Sequence, residues 1–92
     1  MTIIWSQTAL ETYLQIIDYP FEEWTEREVD KFQNKVSDLL ERISSHNHIC
    51  PVSKLLNYHK CLVVKQNSLI YTIQNNNIVL VTFIDNRAIH PF

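Results

Sequence analysis

The run NIVLVTFI, residues 77–84, does most to limit what this chain can fold into. Side chains alternate between the two faces of a strand, so strict alternation puts Ile78, Leu80 and Ile84 on one face and Val79, Val81 and Phe83 on the other. Both faces are then apolar. Such a strand belongs at the centre of a sheet, with a hydrogen-bonded neighbour along each edge. The rest of the sequence has to supply those neighbours.

Two more strand-like runs precede it. KCLVVKQ (60–66) and SLIYTIQ (68–74) are rich in β-branched and aromatic residues and are bounded by turns that contain Asn. Turns this short join antiparallel neighbours, which accounts for one side of the last strand. The chain has no glycine, so left-handed turn positions fall to Asn, which tolerates them better than other residues with a side chain. Asn67, Asn75, Asn76 and Asn77 stand where such turns are needed. For the other side of the last strand, TIIW (2–5) is the remaining candidate.

Between these strands the period is helical. Leu10, Tyr13, Leu14 and Ile17 recur at i, i+3, i+4, i+7, with Ser6 or Thr8 placed as a cap and Thr8 with Glu11 at capping-box spacing. This helix runs to about Asp18, and Pro20 stops it. A second helix opens on Thr25, with Glu28 completing a capping box and Trp24 and Val29 forming a hydrophobic staple. Val29, Phe32, Val36, Leu39, Leu40 and Ile43 mark its core face, while Asp30, Lys31, Lys35, Asp38 and Glu41 mark a solvated one. Residues 44–58, which include Pro51, read as a loop. The expected architecture is α+β in the order β-α-α-β-β-β, a helical hairpin packed on a four-stranded, mainly antiparallel sheet. At 92 residues the chain is expected to be one domain, 1–92.

Composition removes several functions. Without glycine neither the P-loop nor the dinucleotide fingerprint can be built, and no cofactor is expected. A net charge of −2 weighs against affinity that rests on neutralising many phosphates. No run approaches the ~18 apolar residues of a membrane span, and MTIIWSQTALE lacks the basic-then-apolar pattern of a signal peptide. The expected location is cytoplasmic, with no membrane partner. In that compartment Cys50 and Cys61 are expected as free thiols. His46, His48 and Cys50 alternate in HNHIC and with His59 would make a zinc set. No second paired motif accompanies them, so they are read as a polar loop and no metal is expected.

Several features occur together in a fixed order: Trp5, Ser6 and Ala9 in WS..A at the first helix; Phe32, Leu39 and Ile43 in the second; the hairpin YHKCLVVKQNSLIYTI; and the ending IVLVTFIDNRAIHP. In this order and spacing the chain resembles the RelE/ParE toxins of bacterial toxin-antitoxin modules, over nearly its whole length. The resemblance implies the family fold, with the first strand beside the last. It also implies a toxin that arrests growth and is neutralised by a cognate antitoxin, which wraps it with a helix and an extended segment. RelE-like members cut messenger RNA in the ribosomal A site, whereas ParE-like members bind DNA gyrase and inhibit it.

RNA cleavage needs a proton-transfer group beside several cations, while inhibition by binding needs only a complementary surface. Where RelE-like nucleases commonly begin a strand with Arg, this chain has Ser68, with the aromatic Tyr71 retained. One phosphate-binding cation is missing. The expectation is therefore ParE-like inhibition of DNA gyrase, more a binder than an enzyme, with Arg87, His90 and Phe92 as target-binding residues. The alternative is a ribosome-dependent endoribonuclease acting on messenger RNA, with His90 as general acid or base, Arg87 on the phosphate, and Lys60 and His59 beside them. A third reading keeps antitoxin binding without toxicity. Asp85 and Arg87 share a face of the last strand, and the rival reading of Arg87 is an exposed ion pair with Asp85 that orders the tail without touching a target. Trp5, Tyr13, Tyr19, Phe21 and Trp24 are expected to pack in the fold rather than stack on nucleotides. The antitoxin is expected in the groove beside the helices and along the sheet edge at residues 60–66.

Overall fold

The structure is a computed structural model that describes residues 1–18, 25–53 and 57–88. Its elements are β1 (Thr2–Trp5), α1 (Gln7–Ile17), α2 (Glu26–Ser45), β2 (His59–Val64), β3 (Asn67–Gln74) and β4 (Asn77–Asp85). The strands lie in the order β1-β4-β3-β2, so the doubly apolar strand is internal as its sequence requires. Along one side β1 runs parallel to it, with Thr2 opposite Asn77 and Trp5 opposite Leu80. Along the other, β3 runs antiparallel, and β2 follows antiparallel to β3.

Asn replaces glycine at the β3–β4 turn. Asn75 and Asn76 have φ of 49° and 65°, the double left-handed geometry of a type I′ turn, whose twist matches that of the strands it joins. Asn67 departs from the expectation. The β2–β3 turn falls on Lys65 and Gln66, and Asn67 opens β3, where it is buried and its Nδ2 donates to the Ile84 carbonyl at 3.3 Å. A third left-handed residue is Asn57, with φ of 56°.

Thr25 caps α2, its hydroxyl accepting the Glu28 N–H at 3.3 Å. From that start the helix buries Phe32, Val36, Leu39 and Ile43 on one face, with Leu40 partly covered. On α1 the cap is Ser6, accepting from the Ala9 N–H at 3.0 Å, and Thr8 lies within the helix. Pro20 and the aromatics Tyr19, Phe21 and Trp24 lie outside the described residues.

The face that α1 buries differs from the expected one. Leu10 and Leu14 are 48% and 43% exposed, while Ala9 is fully buried and Tyr13, Ile16 and Ile17 pack against the core. The cause is Ser6. Its N–H donates to the Leu80 carbonyl at 3.1 Å and its hydroxyl to the Val81 carbonyl at 2.8 Å, so the rotation of α1 is fixed at its first turn by β4. A helix anchored there presents Ala9 to the sheet whatever the size of its neighbours.

Strict alternation also fails along β4. Ile70 pairs with Thr82 but Tyr71 with Leu80, which leaves Val81 as an extra residue in a bulge, and side-chain parity changes across it. Phe83 therefore joins Ile78 and Leu80 in the core beneath the helices, whereas Ile84, like Ile70, is buried outside that cluster. Beneath the helices the rings of Trp5, Tyr13, Phe32 and Phe83 meet with centroids 5.3 to 5.9 Å apart. Trp5 and Tyr13 thus pack, as expected. No described helix is long and apolar enough to cross a membrane.

Candidate functional site

β4 is longer than β1, and the difference creates the sheet rim. β1 ends at Trp5, opposite Leu80, while β4 continues to Asp85. Beyond Leu80 the open side of β4 would leave backbone groups unpaired in a buried setting, which is costly. Two hydroxyls of the first helical segment satisfy them: Ser6 Oγ donates to the Val81 carbonyl, and Thr12 Oγ1 accepts the Phe83 N–H at 3.0 Å. This side of the strand is sealed, and β4 emerges only at its end.

At that end Asn86 clamps the strand to the β2–β3 turn. Its N–H donates to the Gln66 carbonyl at 2.7 Å, its Nδ2 to the Lys65 carbonyl at 3.1 Å, and its Oδ1 accepts from the Ser68 hydroxyl at 2.7 Å. Sequence reasoning treated Ser68 as the place of an absent cation and gave Asn86 no role. The Ser68 hydroxyl is buried beside Asn86, so the position holds the strand end instead. The signal was faint, because an Asn after a strand reads first as a turn residue.

Arg87 follows directly. Its Nε and Nη2 donate to Asp85 Oδ1 and Oδ2 at 2.9 and 2.7 Å, and its backbone N–H donates to Oδ1 at 2.9 Å. This is the ion pair the sequence indicated, a two-pronged one at the exposed rim. At this exposure it orients more than it stabilises, contributing at most ~1 kcal/mol. Arg87 is thus presented in a fixed direction. His90 and Phe92 lie outside the described residues.

The other nuclease candidates do not converge on Arg87. His59 and Lys60 are consecutive on β2, so they face opposite ways: His59 is buried and Lys60 exposed. The His59 ring stacks on Tyr71, with centroids 4.7 Å apart and planes 10° apart, and His48 packs edge-on against it at 5.3 Å. His59 Nδ1 donates to the Cys50 carbonyl at 2.8 Å. The Tyr71 hydroxyl donates to the Asn47 carbonyl at 2.7 Å. Burial pushes that phenol above the usual tyrosine range, with the Cys50 backbone opposing the shift.

Cys50 and Cys61 correct the expectation of free thiols: they form a disulfide, with Cα atoms 5.3 Å apart. The spacing between the two cysteines carries no motif, and it is the folding of the loop back on β2 that brings them together. Among the described residues no group of three or more His, Cys, Asp or Glu is placed to hold a metal ion. Cys50 is bonded to Cys61 and His46 caps the C-terminus of α2.

A family model described as the ParE toxin of the type II toxin-antitoxin system, parDE, matches residues 3–91. Among solved structures, the chromosomal ParDE toxin-antitoxin system of P. aeruginosa aligns at 12% identity and a TM-score of 0.73, over 92% of this chain and 95% of that one. A YoeB/ParE toxin from Agrobacterium tumefaciens aligns at 9% identity and a TM-score of 0.65, over 94% and 99%. A YoeB-YefM complex from Staphylococcus aureus aligns at 21% identity and a TM-score of 0.61, over 90% and 93%. At these identities the structural likeness is one of fold, and it includes both helices and the four-stranded mixed sheet. No curated protein sequence matches the chain.

Proposed function

The chain belongs to the ParE toxin family of type II toxin-antitoxin systems, and from that premise we propose that it is a cytoplasmic toxin that arrests growth by binding DNA gyrase. It cuts no nucleic acid in this reading, and a cognate antitoxin neutralises it. The toxin-antitoxin assemblies among its structural neighbours support such a partner.

The observation that favours binding over RNA cleavage is the divergence of the nuclease set. Cleavage requires a proton-transfer group and phosphate-binding cations around one scissile bond. Here His59 is stacked within the fold, Lys60 faces the opposite way, and the place of a third cation is taken by the buried Ser68 hydroxyl. A rigid rim carrying an oriented guanidinium suits a protein surface, where Arg is among the residues that concentrate binding energy.

The test is inhibition of gyrase supercoiling by the purified protein. Arg87→Ala is expected to weaken inhibition tenfold or more while leaving thermal stability within about 1 kcal/mol of the parent. Ribosome-dependent cleavage of message that disappears in His90→Ala would replace this reading with the nuclease one. Unaffected growth on expression without antitoxin would remove both.

A further inference from the structure

The loop between α2 and β2 doubles back on the strand it leads into. Lys60 donates its N–H to the Pro51 carbonyl at 3.0 Å, Ser53 donates to the Tyr58 carbonyl at 2.6 Å, and Val52 and His59 form an antiparallel bridge between them. Continued by one residue, this register puts Cys50 opposite Cys61, where the disulfide joins them. Residues 50–53 are therefore a short covering strand on the outer edge of β2, tied covalently to the strand they cover.

β2 is the terminal strand of the sheet, and the backbone groups along such an edge are a template for an added strand. Among the described residues, the covering strand takes the half of β2 at His59, Lys60 and Cys61 and leaves Leu62, Val63 and Val64. The register of β2 is irregular between Leu62 and Val64, which weakens the open half further. The uncovered stretch is at the short limit of strand lengths, whereas all six residues of β2 would match a usual one.

Resting on the toxin reading above, we propose that the Cys50–Cys61 disulfide gates this edge. Oxidised, it locks the covering strand over half of β2. Reduced, it lets that strand peel away, and an extended segment of the cognate antitoxin pairs along His59–Val64, with an apolar side chain covering Leu62, which is 68% exposed. The chemistry is thiol–disulfide exchange with a cellular dithiol. One thiolate of the dithiol attacks the Cys50 sulfur, the Cys50–Cys61 bond breaks, and Cys61 leaves as a thiolate that takes a proton. The second thiol of the dithiol then releases Cys50 and closes the reductant's own disulfide. Attack enters at Cys50 because Cys61 is only 2% exposed. With the bond open, only non-covalent contacts hold the segment on β2, among them its backbone hydrogen bonds with Tyr58 and Lys60, the His59–Cys50 and Tyr71–Asn47 hydrogen bonds and the edge-on His48–His59 contact, while Asn47 Oδ1 stays buried without a hydrogen-bond partner among the described residues.

Amide hydrogen exchange of the free protein, with and without a dithiol reductant, reads the gate directly. The Lys60 amide is expected to exchange at least tenfold faster after reduction, while that of Ile70 in β3 is unchanged. Titration with the purified cognate antitoxin is expected to give at least tenfold tighter binding to the reduced protein, and Cys50→Ser should bind like the reduced form under both conditions. Should that variant fail to fold, the wild-type protein in its two redox states carries the test. Equal Lys60 exchange in both states overturns the gate. Faster exchange with equal antitoxin affinity overturns the edge as the antitoxin's site. Faster exchange with no antitoxin binding in either state counts against the toxin-antitoxin reading and the partner assigned here, and leaves release of the strand standing.

Discussion

At Ser68 a small buried hydroxyl does what a cation cannot. It donates to Asn86 Oδ1 at 2.7 Å and is 2% exposed, so a charge placed there would lose its water without gaining a carboxylate. Ser68→Arg is accordingly expected to destabilise the fold by about 3 kcal/mol or more, through overpacking and the buried charge, and to confer no RNA cleavage. Urea denaturation and a cleavage assay check the two halves of that statement. Tyr71 gives a second test at this scale. Its phenol is raised by burial in the folded chain, whereas in the unfolded chain it titrates near 10. Above the unfolded value the native state holds more protons than the unfolded one, so the contribution of this group is complete below about pH 10 and is lost as pH rises through the folded value. Urea midpoints at about pH 9 and about pH 11 should therefore differ more for the parent than for Tyr71→Phe.

Among the elements, every strand and both helices were legible in the sequence, because period and capping are local properties. The side of α1 was not. Leu10 and Leu14 had the right spacing, but the rotation of that helix is set by hydrogen bonds from Ser6 to a strand 75 residues away, and no pattern within α1 encodes them. The same limit applies to β4, where the bulge at Val81 moved Phe83 to the helix side and Ile84 away from it. Of the candidate site, the pairing of Arg87 with Asp85 was readable because the two are close in sequence, although β4 ends at Asp85 and Arg87 reaches it from the turn that follows, not along a strand face. The Asn86 clamp and the disulfide depend on the pairing of distant segments and were not. The corrected rotation of α1 makes its own prediction. Leu14→Ser should change stability by under about 1 kcal/mol, as is usual at an exposed position, while Ala9→Leu, at a fully buried contact with the sheet, should cost about 1–3 kcal/mol. Thermal melts of the two variants would reverse in order if Leu14 belonged to the core.

For the whole molecule, the disulfide adds a cross-link to a small core. It joins residues 11 apart in sequence, and closing a loop of about this length is worth roughly 2–4 kcal/mol, largely by restricting the unfolded chain. In a domain of this size that corresponds to a fall in melting temperature of roughly 10–20 °C on reduction. Calorimetry with and without reductant measures it, and a fall below about 2 °C would show that the bridge does little for the fold. The parallel pairing of β1 with β4 has a different consequence, for the order in which the protein comes into being. β4 is the last of these six elements to be synthesised, yet it supplies the carbonyls that anchor Ser6 and the surface on which α1 rests. Until β4 has been made, the first strand and both helices lack the centre of their sheet. β1 and the β2–β3 hairpin thus join into one sheet only through the strand made after both of them, and the fold closes in one late step.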